Sequence, residues 1–284
     1  MALALAERSG GVIINADSAQ IYRDLPIVSA APTEGEQLRA DHRLYGVLDG
    51  ALPCSAADWA MLAKREIADV HDDGRLPILV GGTGLYLRTL LEGIAPIPTI
   101  DPQIRETLRA SSIEDNYARL RTLDPEGAAR LNPGDSTRIA RALEVVVSTG
   151  KPLAAWQQQR QGGIGEQIAL KPLILLPPRD WLYARCDKRF ARMIELGAIE
   201  EVEALLARDL DPKLPVMRAI GVREIAAHLQ GETSAEEAIA AGQRATRNYA
   251  KRQYTWFAHQ PPQDWPRFTE IPDERALELL GVSA

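Results

Sequence analysis

The sequence predicts an α/β fold, with a parallel sheet flanked by helices and an all-helical segment inserted into it. Three observations carry that prediction. The run 12–14, Val-Ile-Ile, has the bulk and branching of a strand buried on both faces, and Asn15, Ala16, Asp17 and Ser18 are turn-formers that end it. A second short apolar run, 76–80, passes through Gly81, Gly82, Thr83 and Gly84 into a helix, which repeats the strand-loop-helix pattern. Between about residues 96 and 161 the pattern changes to short helices with no strand among them.

Bulk properties agree with a folded globular chain. At 284 residues, 45% apolar and 25% charged, it is long enough for a full core plus an inserted unit. No apolar run reaches the length of about 18 residues that a membrane helix needs, and no basic lead-in precedes an apolar stretch. Cys54 and Cys186 stand far apart without metal-ligand spacing, which reads as two reduced thiols in a cytoplasmic protein. His42, His71, His228 and His259 include no pair at i and i+4, so no zinc site is expected. The net charge of −6 argues against a surface coated with phosphate-binding residues, yet 243–253 carries Arg244, Arg247, Lys251 and Arg252 with no acid.

Residues 1–11 read as a helix with Leu3, Leu5 and Ala6 buried, closed by Gly10 and Gly11. In nucleotide-type α/β folds a strand and a GxxxxGKS/T phosphate loop precede such a helix, and the chain contains no match to that loop. Asp17 falls at the C-terminal edge of the first strand, where open α/β sheets bind ligands. Two readings stay open for it, a carboxylate placed for chemistry and a cap on the following turn.

After a polar, proline-punctuated region to about Pro53, residues 55–74 have a capped helical pattern with Trp59, Leu62, Ile67 and Val70 on one side. The GGTG turn is either an anion-accepting helix entry or simply a tight turn. In the inserted segment, helices are expected after Asp101-Pro102 and over 113–123, 125–131 and 136–148. Arg138 and Arg141 near the start of the last of these oppose the helix dipole, which suits a polyanion, or else a solvated charged face.

A third buried strand is expected at 173–176, then a long helical region over 181–208, where Phe190 and Met193 read as core rather than as a ligand box. Arg218 lies in a turn before Gly221. The helix that follows, over 238–260, interleaves its basic residues with Tyr249, Tyr254 and Trp256, a combination suited to phosphate contact and base stacking. The tail after Pro261 reads as a proline-broken loop with a short helix.

Four segments together, NADSAQIYR, LPILVGGTGLY, DSTRIARALEV with TGKPL, and MRAIGVRE followed by ATRNYAKRQYTW, resemble the tRNA dimethylallyltransferases, also called tRNA isopentenyltransferases. The resemblance runs in unbroken order from Met1 to about Trp256. It implies a P-loop NTPase-like core divided as 1–98 and 166–284, with a helical insertion at 99–165 that helps grip an anticodon stem-loop. It implies a cytoplasmic, monomeric prenyl transferase that takes dimethylallyl diphosphate, uses Mg2+ and modifies N6 of adenine 37 in tRNA.

Carried over by position, the resemblance makes Asp17 the general base and sets Thr83 and Arg218 near the departing diphosphate oxygen. Asp17, Ser18, Ala19, Gln20 and Thr83 would meet the flipped adenine. Arg105, then Thr137, Arg138, Ile139, Ala140 and Arg141, then Gln243, Arg244, Ala245, Thr246, Arg247 and Asn248 match the family's tRNA-contact segments; no residue is assigned to a metal. Two departures stand out. The family's phosphate loop belongs immediately upstream of Met1, which points to a start assigned too far downstream, and Ala31 occupies a position where members usually carry lysine. A remnant that only binds tRNA is therefore kept as an alternative, as is prenylation of free adenine nucleotides.

Overall fold

A computed structural model describes residues 1–281, which fall into two compact units: residues 1–90 together with the chain from 168 onward, and residues 91–167. The first unit opens with helix α1 (Ala2–Ser9), stopped by Gly10 in the left-handed region at φ 65°. Strand β1 (Val12–Asn15) is buried along its whole length. Helix α2 (Glu34–Gln37) is capped reciprocally by Thr33 and Glu36 and leads to strand β2 (Asp41–Arg43). Helix α3 (Ala56–Asp72) starts from a second such box, Ser55 with Asp58, and strand β3 (Pro77–Val80) and helix α4 (Gly84–Glu92) follow.

The strands form a parallel sheet in the order β2-β1-β3. Its third member is β2, not the expected run 173–176. Asp-His-Arg has no apolar pattern to announce a strand; ion pairs hold it instead. Arg43 reaches Glu66 at 3.2 Å and Arg75 reaches Asp41 at 3.1 Å. In register, Asn15 lies opposite Val80, so β1 and β3 end side by side and release their loops at the same sheet edge. Trp59, fully buried on α3, donates from Nε1 to the Asn15 carbonyl at 2.9 Å and stacks on Tyr86 at 4.7 Å.

The second unit is helical: α5 (Pro102–Ala110), α6 (Ile113–Leu123), α7 (Pro125–Ala129), α8 (Ser136–Thr149) and α9 (Leu153–Gln157). Asp101, Ser112, Asp124 and Asp135 cap the first four with their side chains. The core joins Leu108, Leu120, Ala128, Ile139, Ala142, Leu143 and Val146. Its limits are wider than 99–165 because Ile94 and Gln161 exchange backbone hydrogen bonds, each 3.0 Å, and so draw the flanking chain into the unit.

Back in the first unit, 173–176 contributes strand β4 (Ile174–Leu175), which pairs in parallel with the late strand β5 (Arg267–Phe268) as a separate two-stranded sheet. The helical region 181–208 is two helices, α10 (Arg179–Glu195) and α11 (Ala198–Leu206), broken at Gly197, whose φ of 102° no helix accommodates. A single 3-10 turn over Val216–Arg218 precedes α12 (Val222–Leu229). Helix α13 (Ala235–His259) is the longest, and α14 (Arg275–Glu278) lies near the chain's end. Helices α10 and α13 pack closely: a Cβ on Gly242 would stand 1.9 Å from the Phe190 ring.

Candidate active site

The loop after β1 is built around Asn15, which is wholly buried. Its side-chain amide donates to the carbonyls of Asp17 (2.9 Å) and Leu44 (3.0 Å), while its Oδ1 accepts from the Asp17 amide (2.7 Å). The chain therefore turns sharply enough to present Asp17 at the sheet edge. The Asp17 carboxylate accepts from the Ala19 amide at 2.9 Å, so the residue both caps its turn and faces a cavity. The cap on the following turn is present, and the same carboxylate lines the cavity.

That cavity measures about 270 Å³ and is open to solvent on one side. Asp17, Ser18, Ala19 and Gln20 line one wall. Arg189, Phe190 and Met193 of α10 line another; Arg218 and Ile220 come from the turn before α12, and Thr246, Tyr249 and Gln253 from α13. Thr246, Tyr249 and Gln253 recur at three and four residues, the spacing of one helix face. Phe190 and Met193 pack in the core, as their spacing predicts, and also face the cavity. A ligand entering meets one carboxylate, two guanidiniums and an apolar patch that includes Val28.

Thr83 is set one hydrogen bond behind this lining. Its Oγ1 accepts from the Ser18 amide at 3.0 Å and donates to the Ser18 hydroxyl at 3.3 Å, and its backbone amide reaches the Ala16 carbonyl at 3.3 Å. Gln253 donates to the Gly82 carbonyl at 3.0 Å, tying α13 to the same loop. The glycines of GGTG serve these approaches. A Cβ on Gly81, Gly82 or Gly84 would come within 2.2 Å of the Ala16 backbone, 2.0 Å of Gln253 or 2.5 Å of the Trp256 ring.

The electrostatics follow from partial burial. Desolvation pushes the Asp17 carboxyl above its ordinary 3.8, against the pull of the Ala19 and Gln20 amides and the Arg189 charge. Desolvation, then the Asp17 charge, likewise raises the Tyr249 hydroxyl. Tyr22 is pushed up to about 12 by burial and by the nearby Cys54. Arg189 and Arg218 form no ion pair among the described residues, although both are exposed at the rim of a cavity with a carboxylate in it.

Several of the residues singled out by sequence are otherwise engaged. The Gln20 amide donates to the carbonyls of Ser29 (3.0 Å) and Ala30 (2.7 Å) and so fastens the loop that carries Val28 and Ser29 to the cavity. In the 243–248 run, Gln243 and Arg247 both bind Asp187 of α10, through its carbonyl and its carboxylate respectively; the buried Thr246 hydroxyl donates to the Gly242 carbonyl at 2.8 Å, Ala245 is half-buried, and Arg244 and Asn248 remain exposed. Tyr249 faces the cavity and Trp256 packs on Gly84, so neither is the exposed stacking platform that the sequence suggests.

In the helical unit Ile139 is a core residue and Ala140 half-buried, whereas Thr137 and Arg138 are exposed. Arg138 pairs with its own cap, Asp135, at 3.4 Å, which answers part of its conflict with the helix dipole. Arg105 and Arg141 converge on a buried carboxylate, Glu144.

Sequence reasoning missed Arg189, Gln253, Cys54 and Tyr86, all on the cavity, and it singled out Tyr249 as a surface stacking residue rather than as part of the cavity wall. Arg189 sits in an arginine-rich helix where a solvated face is the ordinary explanation. Tyr249 and Gln253 are signalled by their i, i+4 spacing beyond Gly242, a small residue on a helix face that must be closely packed.

The chain matches the model of the IPP transferase family over residues 20–260. It is 65% identical over 274 residues to a protein of Novosphingobium aromaticivorans named tRNA dimethylallyltransferase, an alignment covering 95% of this chain and 98% of that one. A tRNA dimethylallyltransferase of Sphingopyxis alaskensis is 60% identical, with 99% and 92% covered. Among solved structures, a full-length tRNA isopentenylpyrophosphate transferase from Bacillus halodurans superposes with a TM-score of 0.69 at 33% identity, covering 98% of this chain and 89% of its own. A eukaryotic dimethylallyltransferase acting on tRNA gives 0.75 at 27% identity, covering 90% and 65%.

Proposed function

The chain belongs to the IPP transferase family, and from that premise we propose that it transfers a dimethylallyl group from dimethylallyl diphosphate to N6 of adenine 37 in tRNA. The observation that carries the reading is the shared cavity: Asp17 and Arg218 line it together, with Arg189 beside them and an apolar patch from Val28, Phe190 and Met193. A five-carbon tail suits that patch, and the guanidiniums suit a diphosphate.

The adenine amine is a weak nucleophile because its lone pair is delocalised into the ring. Asp17 accepts its proton as the N6–C1 bond forms and the C1–O bond to diphosphate breaks, and later gives that proton to water. A carboxyl raised above its usual range is a stronger base than an exposed aspartate, and the Ala19 amide fixes the direction from which it acts. Arg218 stabilises the charge that builds on the leaving oxygen; Thr83 holds Ser18, and so the loop, in register. The base must leave its stack to reach this edge.

Among the described residues no cluster of three or more His, Cys, Asp or Glu is arranged to hold a metal, and Asp17 is the one carboxylate named on the cavity. We propose Mg2+ only as the counter-ion that accompanies the diphosphate, with its ligands supplied largely by phosphate and water.

A single copy of the chain is proposed as the acting unit. No helix among the described residues is long and apolar enough to cross a membrane, and Cys54 and Cys186 are both unbridged; a cytoplasmic site of action completes the proposal. The names of the relatives favour the enzyme over a remnant that only binds tRNA.

The experiment is to incubate the chain with labelled dimethylallyl diphosphate and an anticodon stem-loop RNA. Labelled RNA is expected, and AMP in excess should compete poorly. Absence of product alongside tight RNA binding returns the chain to the remnant reading; efficient labelling of AMP instead makes free nucleotide the acceptor.

A further inference from the structure

Outside the cavity, the most unusual charge arrangement in the molecule lies within the helical unit. Glu144 on α8 is wholly buried, and three guanidiniums reach it. Arg109 donates from Nε to Oε1 at 2.9 Å, Arg105 approaches Oε2 with its Nε at 3.6 Å, and Arg141 approaches Oε2 with Nη1 at 3.5 Å. Oε2 has no hydrogen-bond partner of good geometry. No other carboxylate pairs with these three arginines among the described residues.

A structural ion pair needs one cation for one anion, because an uncompensated buried charge is what makes burial costly. Here three cations meet one anion, which leaves a surplus of two positive charges. The arginines are also far from buried, with side chains 45%, 63% and 40% exposed for Arg105, Arg109 and Arg141. Arg105 and Arg109 stand one turn apart on α5 and would repel one another without the carboxylate between them. Each is held through Nε, which leaves its terminal amino groups for a second acceptor in the planar fork that matches phosphate.

We propose that Glu144 is a positioning residue for RNA binding, clamping Arg105, Arg109 and Arg141 into one rigid triad that grips backbone phosphates. The inference rests on the tRNA reading above and deepens it in two ways. It adds Arg109 to the contact surface, and it gives an acidic residue a role in binding a polyanion.

The test is the affinity for an anticodon stem-loop RNA across a salt series, for wild type, Arg109→Ala, Arg109→Lys and Glu144→Gln. Arg109→Ala is expected to weaken binding several-fold and to make the slope of log affinity against log salt shallower by about 1, as loss of one phosphate contact requires. Arg109→Lys should restore part of both. For turnover, the KM for RNA should rise while the KM for dimethylallyl diphosphate stays put.

Glu144→Gln separates positioning from simple charge. Removing a negative charge should tighten RNA binding if the arginines act only through net charge, whereas positioning requires weaker binding and a shallower slope. Circular dichroism shows whether that variant folds; where it does not, the exposed Arg109 variants decide the matter. Wild-type slope in Arg109→Ala, or tighter binding by a folded Glu144→Gln, overturns the triad alone. Failure of the wild type to bind the stem-loop at all removes the tRNA reading with it.

Discussion

Asp17 shows what a buried carboxylate costs the fold that carries it. Its carboxyl is pushed above 3.8 by burial, so the folded chain holds the proton more tightly than the unfolded chain does. The sign follows: this group's contribution to stability is fully present below its ordinary pKa and is lost as pH rises through the higher folded value. Above that folded value the ionised side chain is therefore a destabilising element. Asp17→Asn should raise the melting temperature near pH 7, by a margin that narrows toward acid, while turnover collapses; a lower melting temperature at neutral pH would contradict the burial argument. The place of Asp17 was legible because a β-branched run that stops on turn-formers marks a strand's end. Arg189 was not, since nothing local distinguishes a guanidinium at a cavity rim from one in solvent.

Among the elements, α13 does the most to shape the site. It supplies Thr246, Tyr249 and Gln253 to the cavity and closes on the loop after β3 through Gly82 and Gly84. Gly242 allows the same helix to meet Phe190 of α10. Gly242→Ala should overpack that contact, lowering stability by about 1–3 kcal/mol and weakening diphosphate binding, because the Phe190 ring that must shift also lines the cavity. Thermal unfolding and a binding titration check this; an unchanged melting temperature would mean that the two helices have slack.

Helices with capping residues and strong periodicity were readable from sequence: α3 follows Ser55 and α5 follows Asp101. The sheet was harder. Three polar residues, Asp41–Arg43, make a strand because β1 offers them a ladder and Glu66 and Arg75 anchor their side chains. A locally convincing apolar run at 173–176 instead pairs with residues almost a hundred positions later. Strand membership is a long-range property that a local pattern does not contain.

For the molecule as a whole, a net charge of −6 suggests little affinity for nucleic acid, yet basic residues are gathered locally. Arg244 on α13 and the Arg105, Arg109 and Arg141 group in the helical unit are two such places, one in each unit. RNA affinity should accordingly fall steeply with added salt despite the acidic balance, and a salt-independent affinity would show that these clusters do not bind phosphate. The division into an α/β unit and a helical unit was legible because one segment lacks any strand pattern. Its edges were not, because the Ile94–Gln161 pairing that sets them depends on residues nearly seventy positions apart.

The central claim is that the Asp17 carboxylate takes the proton from the adenine amine. The most direct measurement is the single-turnover rate of prenyl transfer to a stem-loop RNA, at saturating RNA and dimethylallyl diphosphate, for wild type and Asp17→Ala. The rate should drop by about 10²- to 10⁴-fold, the usual worth of a general base, with the dissociation constant for RNA nearly unchanged. A variant that transfers the group at the wild-type rate, or that loses rate only as far as it loses RNA affinity, would take Asp17 out of the chemistry.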